Sequence, residues 1–542
     1  MGSKHEESSS QYGSSIGAVA PDLAPAAHSI HAARVRGSAL SARSPARSTG
    51  RRSQPPPCCC RRSRQRLSLS AEKMQSKDGL VGLPLSGCRK RTRPANAWAE
   101  AHERLKQFGR PGCLEARIEF NIGSCANQAR RFQRPRPQMR VLISGAGIAG
   151  LTAAFWLRRY GFAPTIVERA PSLLTGGYKI DVRGTALQIL GRMGIHDAVV
   201  AASTDMQGAL LVDSDGKVIN EMSGDAFGHR AGADVEIVRG ALCQILMDRI
   251  SDAEFIFGDS IRSISQSPDS VRVEFTNNSP REFDLLIGAD GLHSNVRGLV
   301  FGDESRFVRD LGLYLCVYTV PNYLQLDRLE MQYSELGRVA AIWSSRGDAN
   351  AKACFGFAAP VKIDLHNRAQ QQQALANVYE GIGWEIPRLL EMMPGAPDFY
   401  FDAAAQICMA QWSQGRAVLV GDAGYCASPM SGQGTSLALI GAYVLAGELA
   451  AASGAYQTAF QRYEREMRPF VALNQELGVR SASLMRSKER NVSAWLLEQA
   501  MRIAPGRMIQ LFIDRSTRRI QHAANAIALK DYATERAASS PG

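Results

Sequence analysis

Residues 140 to 168 constrain this chain more than any other segment. An apolar run, Arg140-Val-Leu-Ile-Ser144, is followed at once by Gly145-Ala-Gly147-Ile-Ala-Gly150. The run is short and continuous, which predicts a strand buried on both faces. Apolar residues at helical spacing predict a helix from Ile148 to Tyr160, and Phe162 to Glu168 reads as a second strand. The glycines have separate uses. Gly145 permits the tight turn, Gly147 lets a pyrophosphate reach the backbone, and Gly150 lets the helix lie close on the strand. The helix N-terminus offers N–H donors and the positive end of its dipole to such an anion. Glu168, about twenty residues on, can accept both hydroxyls of an adenosine ribose, and an acid there disfavours a ribose phosphate. Strand, helix and spaced acid together point to a dinucleotide, with FAD and NAD not separated by this motif.

Two further motifs narrow the choice. Leu285-Leu-Ile-Gly-Ala-Asp290-Gly291-Leu-His-Ser294-Asn-Val-Arg297 delivers an Asp-Gly at the carboxyl end of a buried strand, where ligands sit in open parallel sheets. Arg416-Ala-Val-Leu-Val-Gly421-Asp422 again ends a strand in Gly-Asp, and a Gly-rich stretch with Gly432 and Gly434 leads into an apolar helix from Thr435 to Leu449. Asp422 is suited to a ribityl-type hydroxyl. Gly432 and Gly434 allow backbone N–H groups to approach a flat, partly anionic ring.

These motifs, in this order and at these separations, resemble those of the class A flavoprotein monooxygenases, the group that includes para-hydroxybenzoate hydroxylase. Within that group the chain is most similar to the tetracycline-inactivating and polyketide-tailoring enzymes, over roughly residues 139–520. The resemblance implies non-covalently bound FAD, with Gly145, Gly147, Gly150, Glu168 and Arg169 on its adenosine side. It puts Asp290 and Gly291 at the pyrophosphate and the NAD(P)H approach, and Gly421 and Asp422 at the ribityl chain. It also implies flavin-side contacts from Arg239, opening a helix from Gly240 to Ile250, and from Asp181, on a loop. The expected reaction is hydroxylation of an aromatic or polycyclic compound by NAD(P)H and O₂ through a C4a-hydroperoxyflavin. Tyr425 and Ser436 stand where many members have His and Asn, which leaves the substrate class open but not FAD binding.

The expected fold is α/β. A three-layer Rossmann-like FAD-binding domain (139–204, 236–304 and 406–450) is interleaved with a mixed β-sheet substrate domain (205–235 and 305–405), followed by a helical region (451–542). No second dinucleotide fingerprint is visible, which suits a transiently bound NAD(P)H. No nucleophile–base pair has convincing spacing, so no catalytic residue is assigned. His196 and His293 read as surface or structural, and no metal site is expected. Trp384-Glu-Ile386-Pro387 superficially resembles a halogenase motif, but Ile382 occupies its first Trp position, so Trp384 reads as core. A dehydrogenase or reductase of the same fold, or a non-catalytic flavin-containing binding protein, remains as an alternative.

The formal charge of +13 belongs to the N-terminal segment. Residues 1–138 hold roughly 25 Lys and Arg against about 9 Asp and Glu, while the remainder is near neutral. That argues against nucleic acid as a partner of the folded part. The segment has no sustained apolar period and reads as a disordered basic tail. Three readings of it compete: a transit peptide, a nucleic-acid or membrane-surface arm, or a stretch outside the working protein with Met139 as the true start. Cysteines beyond residue 139 are single and read as reduced thiols in a cytoplasmic protein, with organellar targeting by the tail left open. No apolar run reaches the roughly 18 to 20 residues of a membrane span. The partners expected are a small-molecule substrate and O₂, and the oligomeric state is open.

Overall fold

The computed structural model describes residues 138–174, 176–359, 362–486 and 506–532. The readings of the basic tail lie outside the described residues, apart from Gln138.

The apolar run Val141–Ile143 is fully buried at the centre of a six-stranded sheet. Strand Arg140–Ser144 pairs in parallel with Leu285–Gly288 on one side and Ala163–Glu168 on the other. Glu254–Phe257 and Ala417–Leu419 extend the parallel set, and Ser413–Gln414 closes one edge antiparallel. Parallel strands end on the same edge. Gly145, Glu168, Asp290 and Gly421 therefore stand in a row along the carboxyl ends, although they come from three distant segments.

The helix Ile148–Arg159 packs on Gly434–Ala451, which is buried from Thr435 through Ala450. This second helix corrects one sequence expectation. It is long and apolar enough to cross a membrane by length and composition, but 89% of it is buried inside the protein. A helix apolar all round suits the core of a large protein as well as a bilayer.

A seven-stranded mixed sheet has the order Tyr400–Ile407, Val308–Pro321, Asn350–Ala358, Arg338–Ser344, Leu329–Glu335, Gly208–Val212, Val218–Ser223. Only the pairing of Leu329–Glu335 with Gly208–Val212 is parallel. Side chains alternate across the pleat. Tyr314, Cys316, Tyr318, Phe355 and Phe357 point to one face and form a core with helices Arg368–Val378 and Ile386–Met392. Trp384 packs at the edge of this core. Glu330, Trp343, Cys354, Tyr400 and Asp402 belong to the opposite face. The ribbon Lys179–Val182 with Val235–Val238 lies against that face, since Lys179 pairs with Glu330 and sits 5.4 Å from the centre of the Trp343 ring.

Candidate flavin site

Gly145 turns the chain with φ +104°, and a Cβ there would sit 2.5 Å from the Ala289 carbonyl oxygen. At Gly150 a Cβ would lie 2.0 Å from the Gly145 carbonyl oxygen, so helix and turn touch backbone to backbone. Gly147 differs. A Cβ there would meet nothing nearer than the Arg239 guanidinium, at 3.4 Å. The Glu168 carboxylate accepts from the N–H groups of Ala146 and Ala170, each at 2.9 Å. A carboxylate has about four acceptor sites, so this anchoring leaves capacity for a diol.

Arg239 opens the helix Arg239–Asp248, and its backbone N–H donates to the Tyr178 carbonyl at 3.0 Å. Its guanidinium has no ion-pair partner among the described residues, although it acts electrostatically on both Tyr178 and Asp422. Burial raises the Asp422 pKa, against the pull of Cys426 and Arg239. It likewise pushes the Tyr178 phenol up to about 12. Gly434, at the start of the apolar helix, would place a Cβ 3.9 Å from Asp422 Oδ1, and a Cβ on Gly432 would meet nothing within 4 Å. Gly421, with φ +65°, brings Asp422 to this point. Between the two glycines, Gln433 is fully buried, and both polar atoms of its amide lack a protein partner. An open turn, an unpaired guanidinium and an orphaned amide along one row are features that a long, polar, anionic cofactor such as FAD fits.

Asp290 is differently used. Ser294 donates to Oδ1 at 2.5 Å and the Val296 N–H to Oδ2 at 3.0 Å, so the carboxylate caps the helix Asn295–Phe301. The open surface of that turn is Gly291, with nothing within 4 Å of a Cβ. Asp181 lies in a strand, not a loop, because Lys179–Val182 pairs with Val235–Val238. It pairs with Arg183 at 2.7 Å and Arg230 at 3.8 Å, within an ion cluster that also holds Glu236, and with none of the other candidate residues among those described. The ribbon itself reaches the site, since the Arg183 N–H lies 3.4 Å from Ser436 Oγ in the apolar helix. Arg169 is exposed beside the row.

Sequence reasoning missed Tyr178, Gln433, Tyr400, Asp402 and the connecting role of His293. The rings of Tyr178 and Tyr400 are 6.0 Å apart, and the Tyr400 hydroxyl donates to Asp402 at 3.0 Å. His293 lies 2.9 Å from Glu304 through Nδ1 and 3.1 Å from Asp402 through Nε2. Both ring nitrogens face carboxylates, which favours the imidazolium. Asp402 first, and Glu304 after it, raise its pKa from 6.5 to about 9, with burial opposing. Gln433, between Gly432 and Gly434, and His293, within the Asp-Gly motif, lie in segments that the sequence marks, whereas Tyr400 and Asp402 carry no such signal.

This bridge has a pH signature. A raised folded-state pKa means the stabilisation is complete below the unfolded value of 6.5 and is lost as pH rises through about 9. The imidazole is 45% exposed, so screening holds the effect to about 1 kcal/mol. A His293→Gln chain should melt earlier than the parent at pH 6 and together with it at pH 10. A constant difference across that range would refute the bridge.

An FAD binding domain sequence model matches residues 138–309 and 399–476. A flavin-dependent monooxygenase of Legionella longbeachae is 42% identical over 342 residues, which is 63% of this chain and 88% of that protein. The crystal structure of the tetracycline destructase Tet(51) has a TM-score of 0.64 and 36% identity, covering 73% of this chain and 99% of the other. Klebsiella pneumoniae HpxO, solved with FAD and uric acid, shares the fold at 20% identity and a TM-score of 0.56, over 70% and 97% of the two chains. With a matching FAD-binding segment and near-complete coverage of its relatives, the chain belongs to the FAD-dependent monooxygenases.

Proposed function

We propose that this monooxygenase uses NAD(P)H and O₂ to hydroxylate a polycyclic, electron-rich compound held between the flavin row and the inner face of the seven-stranded sheet. The balance is NAD(P)H, a proton, O₂ and substrate giving NAD(P)⁺, water and a product with one added oxygen. Bound FAD supplies hydride acceptance and oxygen activation. The protein supplies the rest. The Gly147 backbone and the Arg239 guanidinium would hold the pyrophosphate, Glu168 the adenosine ribose and Asp422 the ribityl chain. The N-terminus of Gly434–Ala451 would offer its N–H groups to the anionic part of the ring.

One observation carries this reading: the Arg239 guanidinium, without an ion-pair partner among the described residues, lies 3.4 Å from where a Gly147 Cβ would stand and acts electrostatically on Asp422. Across from it, on the inner face of the seven-stranded sheet, stand Trp343, Cys354 and Tyr400, an aromatic surface against which a flat ring could lie. Lys179 is part of that surface, and Glu330 and Glu236 outweigh its burial to keep it charged. A flat substrate with keto or enol oxygens suits such a surface. The tetracycline destructases, at 36% and 38% identity, are named for substrates of that shape.

The test is NADPH and NADH oxidation by the FAD-loaded chain with a panel of tetracyclines and other polycyclic phenols, followed by product mass under isotopically labelled O₂. Stimulated oxidation with one labelled oxygen in the product is expected. Reduction without oxygen incorporation for any compound would turn the reading toward a reductase. An Asp422→Ala chain should bind FAD about 1.5–3 kcal/mol less tightly, roughly ten- to hundredfold in Kd, as measured by flavin fluorescence titration. An unchanged Kd would remove Asp422 from the site.

A further inference from the structure

The helices Tyr456–Arg486 and Gly506–Ala524 lie side by side, and between them runs a groove of about 350 Å³. Its lining ascends one helix from Leu473 to Arg480 and descends the other from Ala523 to Arg515. Asn474 donates to the Ala523 carbonyl at 3.4 Å, which fixes one end of this antiparallel pair. One turn beyond the other end stand Leu484 and Leu511. They are 70% and 64% exposed, the two most exposed large apolar side chains among the described residues. No lining residue belongs to the cofactor row or to the sheet face opposite it.

The floor of the groove is apolar and its rim is cationic. Leu473 and Leu477 are half-buried and Ala523 is buried, whereas Arg515, Arg518, Arg519 and His522 are exposed along the second helix. Arg480 lines the groove from the first helix, but Glu476 holds it, with Nε 3.1 Å from Oε1. The three arginines of the second helix have no carboxylate partner among the described residues, and Arg518 donates to the Asp514 carbonyl at 3.3 Å. Unpaired guanidiniums above a strip of leucines call for a partner that is both anionic and apolar.

The arrangement selects among such partners. A bilayer surface is flat and does not reach leucines that lie below a row of arginines. An anionic amphiphile with a single head group leaves most of the cations unmatched. An amphipathic helix meets both rows at once, with apolar side chains at i, i+3, i+4 and i+7 entering the groove and carboxylates beside them at the rim. We propose that this groove docks an acidic amphipathic helix of a partner protein, its apolar stripe on Leu473 and Leu477 and its carboxylates against Arg515, Arg518 and Arg519.

The experiment titrates the FAD-loaded full chain, by fluorescence anisotropy, with a labelled peptide of Glu, Ala and Leu about twenty residues long, patterned with one apolar and one acidic stripe. A peptide of the same composition with the pattern scrambled is the control, because the basic N-terminal segment attracts any polyanion. The patterned peptide should bind roughly tenfold more tightly than the scrambled one, and Arg515→Glu combined with Arg519→Glu should abolish that preference. Leu511→Ser, at the mouth of the groove, should weaken it severalfold. These side chains are exposed, so FAD content, melting temperature and NAD(P)H oxidation should match the parent. Equal affinity for the two peptides, or a preference that survives the double charge reversal, overturns the proposal. Capture by phosphatidylserine vesicles through the same arginines, with no preference between the peptides, overturns it in favour of a membrane contact.

Discussion

A Gly150→Ala chain is expected to purify without yellow colour and to melt well below the parent. The added methyl would sit 2.0 Å from the Gly145 carbonyl oxygen and 3.2 Å from its carbon. Both are backbone atoms, so no rotamer can relieve the contact. Gly145 has little room to retreat, because even a Cβ on it would sit 2.5 Å from the Ala289 carbonyl oxygen. The helix must lift, and its N-terminal N–H groups then leave the position where they meet the pyrophosphate. Overpacking of this kind costs about 1–3 kcal/mol, sometimes more, before any loss of cofactor is counted. Gly191→Ala, in the exposed part of the helix Thr185–Met193, is the control. Nothing lies within 4 Å of that Cβ, and removing a helical glycine should stabilise by about 0.5–1 kcal/mol. Absorbance of bound flavin per chain and a melting curve suffice. Full flavin occupancy in Gly150→Ala would refute the close-packing argument.

The second large effect is expected at Arg297, a fully buried cation. Its guanidinium donates to the Ala423 carbonyl at 3.0 Å, the Leu292 carbonyl at 2.7 Å and Glu304 at 2.6 Å. It thus ties the Asp290-Gly291 turn to the Gly421-Asp422 turn, two parts of the cofactor row that are far apart in sequence. Arg297→Met preserves bulk but strands two buried carbonyls and one carboxylate. Breaking a buried ionic network costs about 3–5 kcal/mol, and the half-exposed Glu304 puts this case toward the lower end. The measurement is denaturant unfolding together with the FAD Kd. Stability and flavin affinity should both fall, and Arg297→Lys should recover only part, since one ammonium cannot reproduce a planar fork. An unchanged midpoint would show that water replaces the guanidinium without cost.

Arg297 also marks where sequence reading stops. Its motif was legible because a buried apolar strand, a glycine turn and a following helix are all encoded within a dozen neighbouring residues. The same holds for Gly145–Glu168 and for Gly421–Gly434. The wall opposite the flavin row was not legible. His293 meets Asp402, Lys179 meets Glu330, and Tyr178 meets Tyr400, each across long stretches of chain and between different sheets. No local period records such meetings. Asp181 illustrates a subtler case. Its surroundings read as a loop because only four residues, Lys179–Val182, are in the strand, and the partner that makes them a strand is Val235–Val238. The apolar helix Gly434–Ala451 fell between two readings. Its composition alone fits either a bilayer or a core, and only the packing of Ile148–Arg159 against it decides.

The order in which strands join the sheets has a consequence for how the polypeptide emerges from the ribosome. Arg140–Ser144 pairs early with Ala163–Glu168 but must wait for Leu285–Gly288, and Gly208–Val212 pairs early with Val218–Ser223 but must wait for Leu329–Glu335, so each sheet begins with a strand that has one edge uncovered. The cofactor sheet receives its last strand, Ala417–Leu419, only after every strand of the other sheet has appeared. Exposed apolar edges persist through that interval, and pairings this distant in sequence close slowly. No truncation between residues 140 and 419 leaves the cofactor sheet whole. Slower synthesis at low temperature, with holdase chaperones present, should therefore raise the yield of folded enzyme more than any change in its surface.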